Sequence, residues 1–340
     1  MRGVDVILVT FNSERDISEC VKALLFQREV DINIIIVDNG SSDRTLDILR
    51  AEFPQIDIHA NSMNLGYPKA CNVGLRFLSN DYVAFVNPDN SGDPKWIATA
   101  IRSLDANPTA GACQARLLLA NDRKRLNSRG NQANLLFFGW PDGYMELDES
   151  PLKTVAIPFA SGGASIYTRV CIEKCGGYDE THFVYGEDLE LGLRLFLYGY
   201  DVILSPDSIV YHKYEFKPSP EKYFHLEKGR ILAFLKIYRW RTILFMSPLF
   251  VVSEMAVLMK ATLEGWLPQK LRSYLAVLLN LEQVTKGRRK VQAERIRSDG
   301  ELLTLLRGSL SFAPLSNSGF MTIGNRLLEK YRDFLLRIDL

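Results

Sequence analysis

Four short polar signatures follow hydrophobic runs in the N-terminal part of the chain. In order they read VILVTFN over Val6–Asn12, IIIVDNGSSD over Ile34–Asp43, NLGYPKACNVG over Asn64–Gly74 and VAFVNPD over Val83–Asp89. They place turn formers and carboxylates where buried strands are predicted to end. Ligands of open parallel sheets bind outside the carboxyl ends of the strands, so we expect these signatures to converge on one pocket.

The hydrophobic pattern over residues 1–110 predicts alternating strands and helices. Strands are expected over residues 4–9, 32–37, 56–59 and 82–86, and helices over 14–26, 43–52, 67–78 and 93–104. Strands joined by helical crossovers form a parallel sheet, which predicts the α/β class. Residues 111–160 are predicted to be an irregular insertion on the substrate side. Further on, a helix is expected over 187–198, with strands over 202–204 and 208–211.

Composition predicts a folded protein with one main domain and an appendage. The chain has 340 residues, of which 47% are hydrophobic and 24% charged. Residues 216–300 hold 16 Lys and Arg against 7 Asp and Glu, whereas the remainder holds 25 against 33. This asymmetry predicts different partners for the two parts. We therefore expect a catalytic domain over 1–215 and a mainly helical extension over 216–340.

Cysteine usage and the N-terminus predict a cytoplasmic protein. The five cysteines are an odd number without a paired short-spacing pattern, which is typical of a reducing compartment. The chain starts at once with a strand-like run and shows no secretory leader pattern.

The extension changes to long apolar and basic segments that contain Trp240 and Trp266. Its best spanning candidate, Thr242–Met259, has 18 residues and includes Pro248 and Glu254, whereas a spanning helix needs about 20 mostly apolar residues. Apolar faces beside Lys, Arg and aromatic residues favour helices that lie in a membrane interface. The alternatives are a bundle packed on the catalytic domain and a dimer interface.

Two carboxylates at predicted strand ends need partners, because burial of an unpaired charge is costly. Asp38 begins a turn that can aim its carboxylate at a donor such as a nucleobase N–H; ordinary helix capping is the alternative. Asp89 is the better metal candidate, since Mg²⁺ and Mn²⁺ prefer oxygen ligands and share nucleotide phosphates with few carboxylates. An Asx turn would also explain Asp89.

Together these motifs resemble the family 2 glycosyltransferases. The similarity continues through Ser161-Gly162-Gly163, the Gly-Gly-Tyr-Asp of Gly176–Asp179 and FVYGEDLELGLR over Phe183–Arg194, which looks like the rhamnosyltransferase-like branch. It covers roughly residues 4–215. The resemblance implies a GT-A fold, a Rossmann-like mixed sheet flanked by helices, and a nucleotide-diphosphate sugar donor.

The resemblance also implies roles for individual residues. Those expected to hold the base and ribose are Thr10, Asn12 and Asp38, and those expected to close the donor pocket are Asn64, Gly66 and Asn72. Asn87 and Asp89 occupy the position of the Asp-x-Asp metal motif. Because Asn87 replaces the first acid, one firm carboxylate is left for Mg²⁺ or Mn²⁺. His212 is expected to complete the metal shell or contact phosphates, although a lone histidine is more often structural.

Glu187 and Asp188 are the candidates for the base that deprotonates the acceptor. The resemblance favours Asp188, the second acid of the family's Glu-Asp motif. Adjacent carboxylates repel, which raises one pKa, and neighbours on a helix point about 100° apart. Acids that complement a helix dipole are the alternative. Ser161-Gly162-Gly163 is expected near the acceptor, unless it is only a tight turn. Arg230 is a candidate phosphate ligand, or else a surface or lipid-facing residue.

These observations predict an inverting, metal-dependent glycosyltransferase. The expected donor is of the dTDP-rhamnose or UDP-hexose type, and the expected acceptor is a glycan or lipid-linked glycan in cell-surface polysaccharide synthesis. We expect a peripheral position on the inner face of the cell membrane and no nucleic-acid partner; a homo-oligomer is left open. A sugar-phosphate nucleotidyltransferase is disfavoured, since no glycine-rich basic loop follows the first strand. The intact carboxylates disfavour a non-catalytic scaffold, and the lack of G-x-G-x-x-G disfavours a dinucleotide-dependent oxidoreductase.

Overall fold

A computed structural model describes residues 1–149, 153–215, 217–311 and 319–338. The strands are β1 Arg2–Thr10, β2 Val30–Asp38, β3 Asp57–Ala60, β4 Tyr82–Val86, β5 Asn90–Gly92, β6 Ala110–Leu119, β7 Asp122–Ser128, β8 Asn131–Ala133, β9 Gly139–Pro141, β10 Ala164–Thr168 and β11 Asp201–His212. The helices are α1 Ile17–Leu25, α2 Thr45–Glu52, α3 Tyr67–Gly74, α4 Trp96–Asp105, α5 Arg169–Cys175, α6 Glu187–Leu197, α7 Pro220–Ile237, α8 Trp240–Leu263, α9 Leu267–Leu279, α10 Leu281–Glu294, α11 Asp299–Leu305 and α12 Gly319–Leu336.

A nine-stranded mixed sheet organises the chain, in the order β3-β2-β1-β4-β10-β6-β11-β5 with β7 beside β6. The strands β1 to β4 are parallel, and β10 enters antiparallel between β4 and β6. Side chains of β1 alternate between two cores: Val4, Val6 and Leu8 pack on one face, Ile7 and Val9 on the other. The α/β prediction is confirmed, with helices covering both faces of the sheet.

The predicted elements of residues 1–110 are present, whereas the predicted irregular insertion is wrong in part. Residues 110–119 form β6, a strand paired on both edges inside the sheet, and β7 to β9 follow it. The run AGACQARLLL is buried along most of its length, but its small residues give no alternating pattern. The strands expected near residues 202 and 210 are one strand, β11, with an irregular register between Ser205 and Ile209.

The C-terminal helices pack onto the sheet domain through α7. Lys236 of α7 is fully buried and pairs with Asp179, which ties the predicted extension to the turn before α6. Phe216, at the predicted domain boundary, lies outside the described residues, as do residues 312–318 and 339–340 of the extension. The division at 215 and 216 stays a prediction.

Candidate active site

The ends of β1 and β2 bring Thr10 and Asp38 side by side, because the two residues are paired in register. Thr10 Oγ1 donates to Asp38 Oδ1 over 2.9 Å, and the backbone N–H of Ser41 donates to Asp38 Oδ2 over 3.0 Å. Asn12 Oδ1 accepts from the Ser42 N–H over 2.8 Å. Thr10 and Asp38 are fully buried. Because Thr10 holds the Asp38 carboxylate and that carboxylate accepts from Ser41, the two residues together hold the loop after β2. Their contact with a base or ribose stays a prediction.

Asn39, which the sequence reasoning passed over, connects this loop to the start of α3. Its Nδ2 donates to Asn64 Oδ1 over 2.9 Å, and its Oδ1 accepts from the Leu65 N–H over 3.0 Å. Asn64 Oδ1 also accepts from the Gly66 N–H over 2.9 Å. Gly66 has φ 85°, and an added Cβ would lie 2.6 Å from the carbonyl oxygen of Phe183. Asn64 and Gly66 therefore shape the loop that begins α3, and their place in a donor pocket stays a prediction.

Asn72 lies at the other end of α3. Its Nδ2 donates to the carbonyl of Tyr178 over 2.9 Å, and its Oδ1 accepts from the Tyr178 N–H over 2.9 Å. Asn72 thus fixes the Gly-Gly-Tyr-Asp turn rather than joining the cluster around Asn64. Whether it also closes a donor pocket stays a prediction.

Two adjacent glycines join the predicted base to the predicted metal motif. The Gly162 N–H donates to Asp188 Oδ2 over 3.0 Å, while the Gly163 carbonyl accepts from the Asn87 N–H over 3.1 Å. Asn90 Nδ2 also donates to the Gly163 carbonyl. An alanine Cβ at Gly162 would lie 2.8 Å from Asp188 Oδ1. The position therefore needs glycine for space, and it brings Asp188 and Asn87 to one place.

Glu187 and Asp188 start α6 in different surroundings. Asp188 is partly exposed, and its Oδ1 accepts from the Tyr178 hydroxyl over 3.4 Å. Burial raises the pKa of Asp188, and the hydrogen bonds from Gly162 and Tyr178 offset part of that rise. Glu187 is buried, and its Oε2 has no hydrogen-bond partner among the described residues. Burial and the charge of Asp188 raise the pKa of Glu187 well above its ordinary value, which favours the protonated form of this side chain.

Asp89 and His212 meet beside the end of β11. His212 Nε2 lies 3.3 Å from Asp89 Oδ2, and His212 Nδ1 lies 2.9 Å from Asn127 Oδ1. Since Asn127 Oδ1 accepts, it holds the ring proton on Nδ1, and the lone pair of a neutral imidazole then faces Asp89. Asp89 Oδ1 is buried without a partner among the described residues. Two facing acceptors need a positive charge between them, which fits a divalent cation or a proton.

Arg230 does not lie on the surface, so the surface or lipid-facing alternative is wrong. It is 3% exposed and pairs with Glu227 over 2.6 Å and with Glu254. Its guanidinium also lies 4.3 Å from the centre of the Phe138 ring. With two carboxylates as partners, Arg230 binds α7 to α8, and a phosphate contact stays a prediction.

An aromatic wall, not predicted from the sequence, lies beside His212. Its members are Tyr144, Tyr185 and Tyr214. The Lys222 Nζ lies 5.2 Å from the Tyr185 ring and 5.6 Å from the Tyr214 ring, and the Tyr144 ring lies 5.8 Å from the Tyr214 ring, centre to centre. Tyr214 in turn lies 5.3 Å from the His212 ring, centre to centre. Aromatic faces beside a cation suit a sugar or nucleotide that carries both apolar rings and phosphates.

This geometry agrees with a match to a known family. Residues 5–176 match the sequence model of "Glycosyl transferase family 2". The chain belongs to this family. The matched segment includes the Thr10–Asp38 pair, Asp89 and both glycines, whereas Asp188 and His212 lie beyond it.

Relatives of this glycosyltransferase agree with the assignment. It is 25% identical over 231 residues to "N-acetylglucosaminyl-diphospho-decaprenol L-rhamnosyltransferase" of Mycobacterium tuberculosis, covering 61% of this chain and 75% of the relative. It is 32% identical over 108 residues to an "Uncharacterized glycosyltransferase" of Haemophilus influenzae, covering 31% of this chain and 33% of that one. The predicted resemblance to the rhamnosyltransferase-like branch is confirmed at this low identity.

Solved structures of glycosyltransferases share the fold. GalNAc-T7 with UDP, GalNAc and Mn²⁺ superposes with TM-score 0.58 at 13% identity, over 72% of this chain and 49% of that one. A mannosyltransferase from Pyrobaculum calidifontis with GDP-Man and Mn²⁺ gives TM-score 0.51 at 16% identity, over 99% and 87%. The predicted GT-A fold is confirmed. Among the residues described for this chain, no group of three His, Cys, Asp or Glu side chains is placed to hold a metal.

Several site residues escaped the sequence reasoning for different reasons. Tyr67 and Tyr178 lie inside the sequence motifs described above, so the sequence did contain a signal for both residues. Tyr67 donates to the Gly162 carbonyl over 2.8 Å. Asn127 lies in a polar stretch with no motif. It becomes a partner of His212 only because β7 folds back onto β6.

Proposed function

We propose that this glycosyltransferase is an inverting enzyme that moves a sugar from a nucleotide-diphosphate sugar to a glycan or lipid-linked glycan. One observation carries the proposal: Gly162 donates to Asp188 while Gly163 accepts from Asn87 beside Asp89. An acceptor-activating carboxylate at the start of α6 and a phosphate-side cation site after β4 are thereby linked through two adjacent glycines. Transfer by displacement needs both parts close together.

Asp188 is the proposed base. It is partly exposed, and its two oxygens each accept one hydrogen bond, which fixes the carboxylate without occupying all of its lone pairs. Asp188 takes the proton of an acceptor hydroxyl, whose oxygen forms a bond to the anomeric carbon as the bond to the diphosphate oxygen breaks. One displacement inverts the configuration at that carbon. The raised pKa of Glu187 favours its protonated form, which cannot accept the hydroxyl proton.

A divalent cation fits the pair Asp89 and His212. The pair offers carboxylate oxygens and an imidazole lone pair, and Asp89 Oδ1 is buried without a partner among the described residues. Mg²⁺ and Mn²⁺ commonly take only one or two protein ligands and fill their shells with phosphates and water. When bound, the cation supplies charge to offset the departing diphosphate. Asn127 orients His212 for this role.

The donor and the setting extend the same proposal. A dTDP-rhamnose or UDP-hexose donor is supported by the similarity to a rhamnosyltransferase, whose name gives N-acetylglucosaminyl-diphospho-decaprenol as its acceptor. The reaction would then take place at the inner face of the cell membrane, in cell-surface polysaccharide synthesis. The five free, buried cysteines are compatible with a reducing compartment.

Calorimetry tests the proposal directly. The protein is titrated with a panel of nucleoside diphosphates and nucleotide sugars, with and without Mn²⁺, and the titrations are repeated with Asp89→Ala. We expect one nucleotide to bind in a Mn²⁺-dependent manner and the variant to lose that binding. Failure of every nucleotide to bind would contradict the proposal and favour a non-catalytic scaffold.

A further inference from the structure

The outer sides of α8 and α9 form one apolar surface. We define it by Leu244, Val252, Met255 and Met259 on α8 and Leu275, Leu278 and Leu279 on α9, all exposed by more than half. Helix α8 is also the one helix among the described residues that is long and apolar enough to cross a membrane. Soluble monomers rarely expose contiguous apolar patches larger than a few hundred Å², so this surface calls for a partner.

Each helix also turns one charged side chain inward. Glu254 is 8% exposed near the middle of α8, and Lys270 of α9 is fully buried. Lys270 Nζ donates to Glu254 Oε2 over 2.7 Å, and Arg230 of α7 also pairs with Glu254. In a helix that faces water the arrangement is the reverse, with apolar residues inward and charges outward. The pair α8 and α9 is therefore built to face a medium less polar than water.

The same ion pairs favour a helix that lies along a membrane over one that crosses it. Glu254 fastens the middle of α8 to α7 and α9, and the Tyr331 hydroxyl of α12 donates to the Phe245 carbonyl. Were α8 to cross a bilayer, the exposed pair Arg272 and Glu221 on α9 and α7 would be carried into hydrocarbon. Charged side chains at that depth are expensive.

The charges around the apolar surface identify the partner. Trp240, 66% exposed at the start of α8, stands between the exposed Arg239 and Arg241. Neither arginine forms an ion pair within the described part of the chain. Basic residues and an interfacial tryptophan beside an apolar face suit an anionic lipid surface. Two copies of the surface would instead bring like charges together.

We propose that the apolar surface of α8 and α9 lies in the plane of an anionic lipid bilayer, with the surrounding cations on the headgroups. The inference deepens the proposed function, since it would hold the enzyme where a lipid-linked acceptor is found. Lipid binding needs neither donor nor cation. Vesicle binding can therefore fail while nucleotide binding succeeds, and nucleotide binding can fail while vesicle binding succeeds.

Sedimentation with vesicles tests the proposal. The full chain is mixed with phosphatidylglycerol vesicles or phosphatidylcholine vesicles, without nucleotide, and the bound fraction is measured. We expect binding to the anionic vesicles that weakens in high salt. The double variant Met255→Gln/Met259→Gln should weaken it by more than about tenfold, because two exposed side chains lose their apolar contact with lipid. The matched control Leu25→Gln/Phe26→Gln, on exposed residues at the end of α1, should bind as the wild type does.

Four results would overturn the proposal. The wild type could stay in the supernatant with both vesicle types, or the control could weaken binding as much as the test variant. A dimer in light scattering that Met255→Gln/Met259→Gln converts to monomer, without vesicle binding, would assign the surface to a second copy. Membranes that retain the protein after alkaline extraction would show that α8 crosses the bilayer. Release by alkali, together with vesicle binding, supports the in-plane position.

Discussion

His212 Nε2 lies 3.3 Å from Asp89 Oδ2, and strand pairing sets this contact. His212 ends β11 in register with Asn90, the residue that follows Asp89. The pairing of β5 with β11 therefore carries the imidazole to the carboxylate. Asn127 of β7 completes the arrangement from a third strand.

Substitutions around this pair should change the affinity for Mn²⁺. Asn127→Ala removes the group that orients His212, and loss of such an orienting hydrogen bond typically weakens metal binding about 10–100-fold. Asp89→Asn should cost more, since it removes the carboxylate itself. The measurement is Mn²⁺-dependent calorimetry with the nucleoside diphosphate that binds. Asp81→Asn, on an exposed aspartate before β4, is the control. Unchanged Mn²⁺ affinity in Asp89→Asn would exclude Asp89 as a ligand.

The two adjacent acids should respond differently to neutralisation. Asp188→Asn should lower kcat by about 10²–10⁴-fold, the usual contribution of a general base. Glu187→Gln should keep most of kcat, because the raised pKa of Glu187 favours its neutral form and the amide preserves the shape of that form. Steady-state kinetics on both variants, with circular dichroism as a check of folding, measures the difference. The opposite ranking would make Glu187 the base.

The pH dependence of kcat/KM should report the pKa of Asp188. Burial raises that pKa to about 6. A base works only when deprotonated, so the rate should be full above this pH and fall roughly tenfold for each pH unit below it. Tyr178→Phe removes a hydrogen bond that lowers the pKa, and the rising limb should therefore move to higher pH. A limb that stays in place in Tyr178→Phe would show that the titrating group is not in contact with Tyr178.

Space at Gly162 should be essential for activity and not for folding. Gly162→Ala places a Cβ 2.8 Å from Asp188 Oδ1 and from the Tyr67 hydroxyl, so the carboxylate must move. We expect a large loss of kcat with an unchanged circular dichroism spectrum. Gly324→Ala on α12, where an added Cβ meets nothing within 4 Å, is the matched control. Equal activity of both variants would show that the position of Asp188 does not matter.

The pair Asp179 and Lys236 should be important for stability. Asp179→Asn leaves Lys236 buried without a charged partner, and breaking a buried pair costs about 3–5 kcal/mol. Asp179→Asn/Lys236→Met should recover part of this loss. Denaturant unfolding measures both, with Glu282→Gln in the exposed pair with Lys286 as the control. An Asp179→Asn variant no less stable than the control would refute the prediction.

The same pair should make stability fall in acid. Burial alone would raise the pKa of Asp179, but the charge of Lys236, the His182 ring and the hydrogen bonds from Lys236 and Thr181 together outweigh burial and lower the pKa below its ordinary value. The contribution of the pair is therefore fully present above the unfolded pKa of about 3.9 and is lost as pH falls below it. Unfolding free energies measured between pH 7 and pH 3 should fall more steeply in the wild type than in Asp179→Asn.

The sequence determined the elements whose signals are local. The apolar runs of β1, β2 and β4 and the polar residues after them predicted both the strands and the edge where Thr10, Asp38 and Asp89 lie. Strands of a parallel sheet are buried on both faces and read as continuous apolar runs. A series of such runs, joined by helical segments, therefore allows few sheet arrangements. Strand β6 escaped prediction because its small residues have no alternating pattern and its place depends on neighbours distant in sequence.

Tertiary structure alone decided the partners and the orientations. Asn127 meets His212 only because β7 folds back onto β6, and Asp188 acquires its two hydrogen-bond donors from the turns at Gly162 and Tyr178. The orientation of α8 has the same origin. Glu254 points inward because Arg230 and Lys270 are there to pair with it, and the leucine and methionine side chains are consequently left outside. Ion pairs between helices that are distant in sequence set the orientation of α8, and no local sequence pattern predicts them.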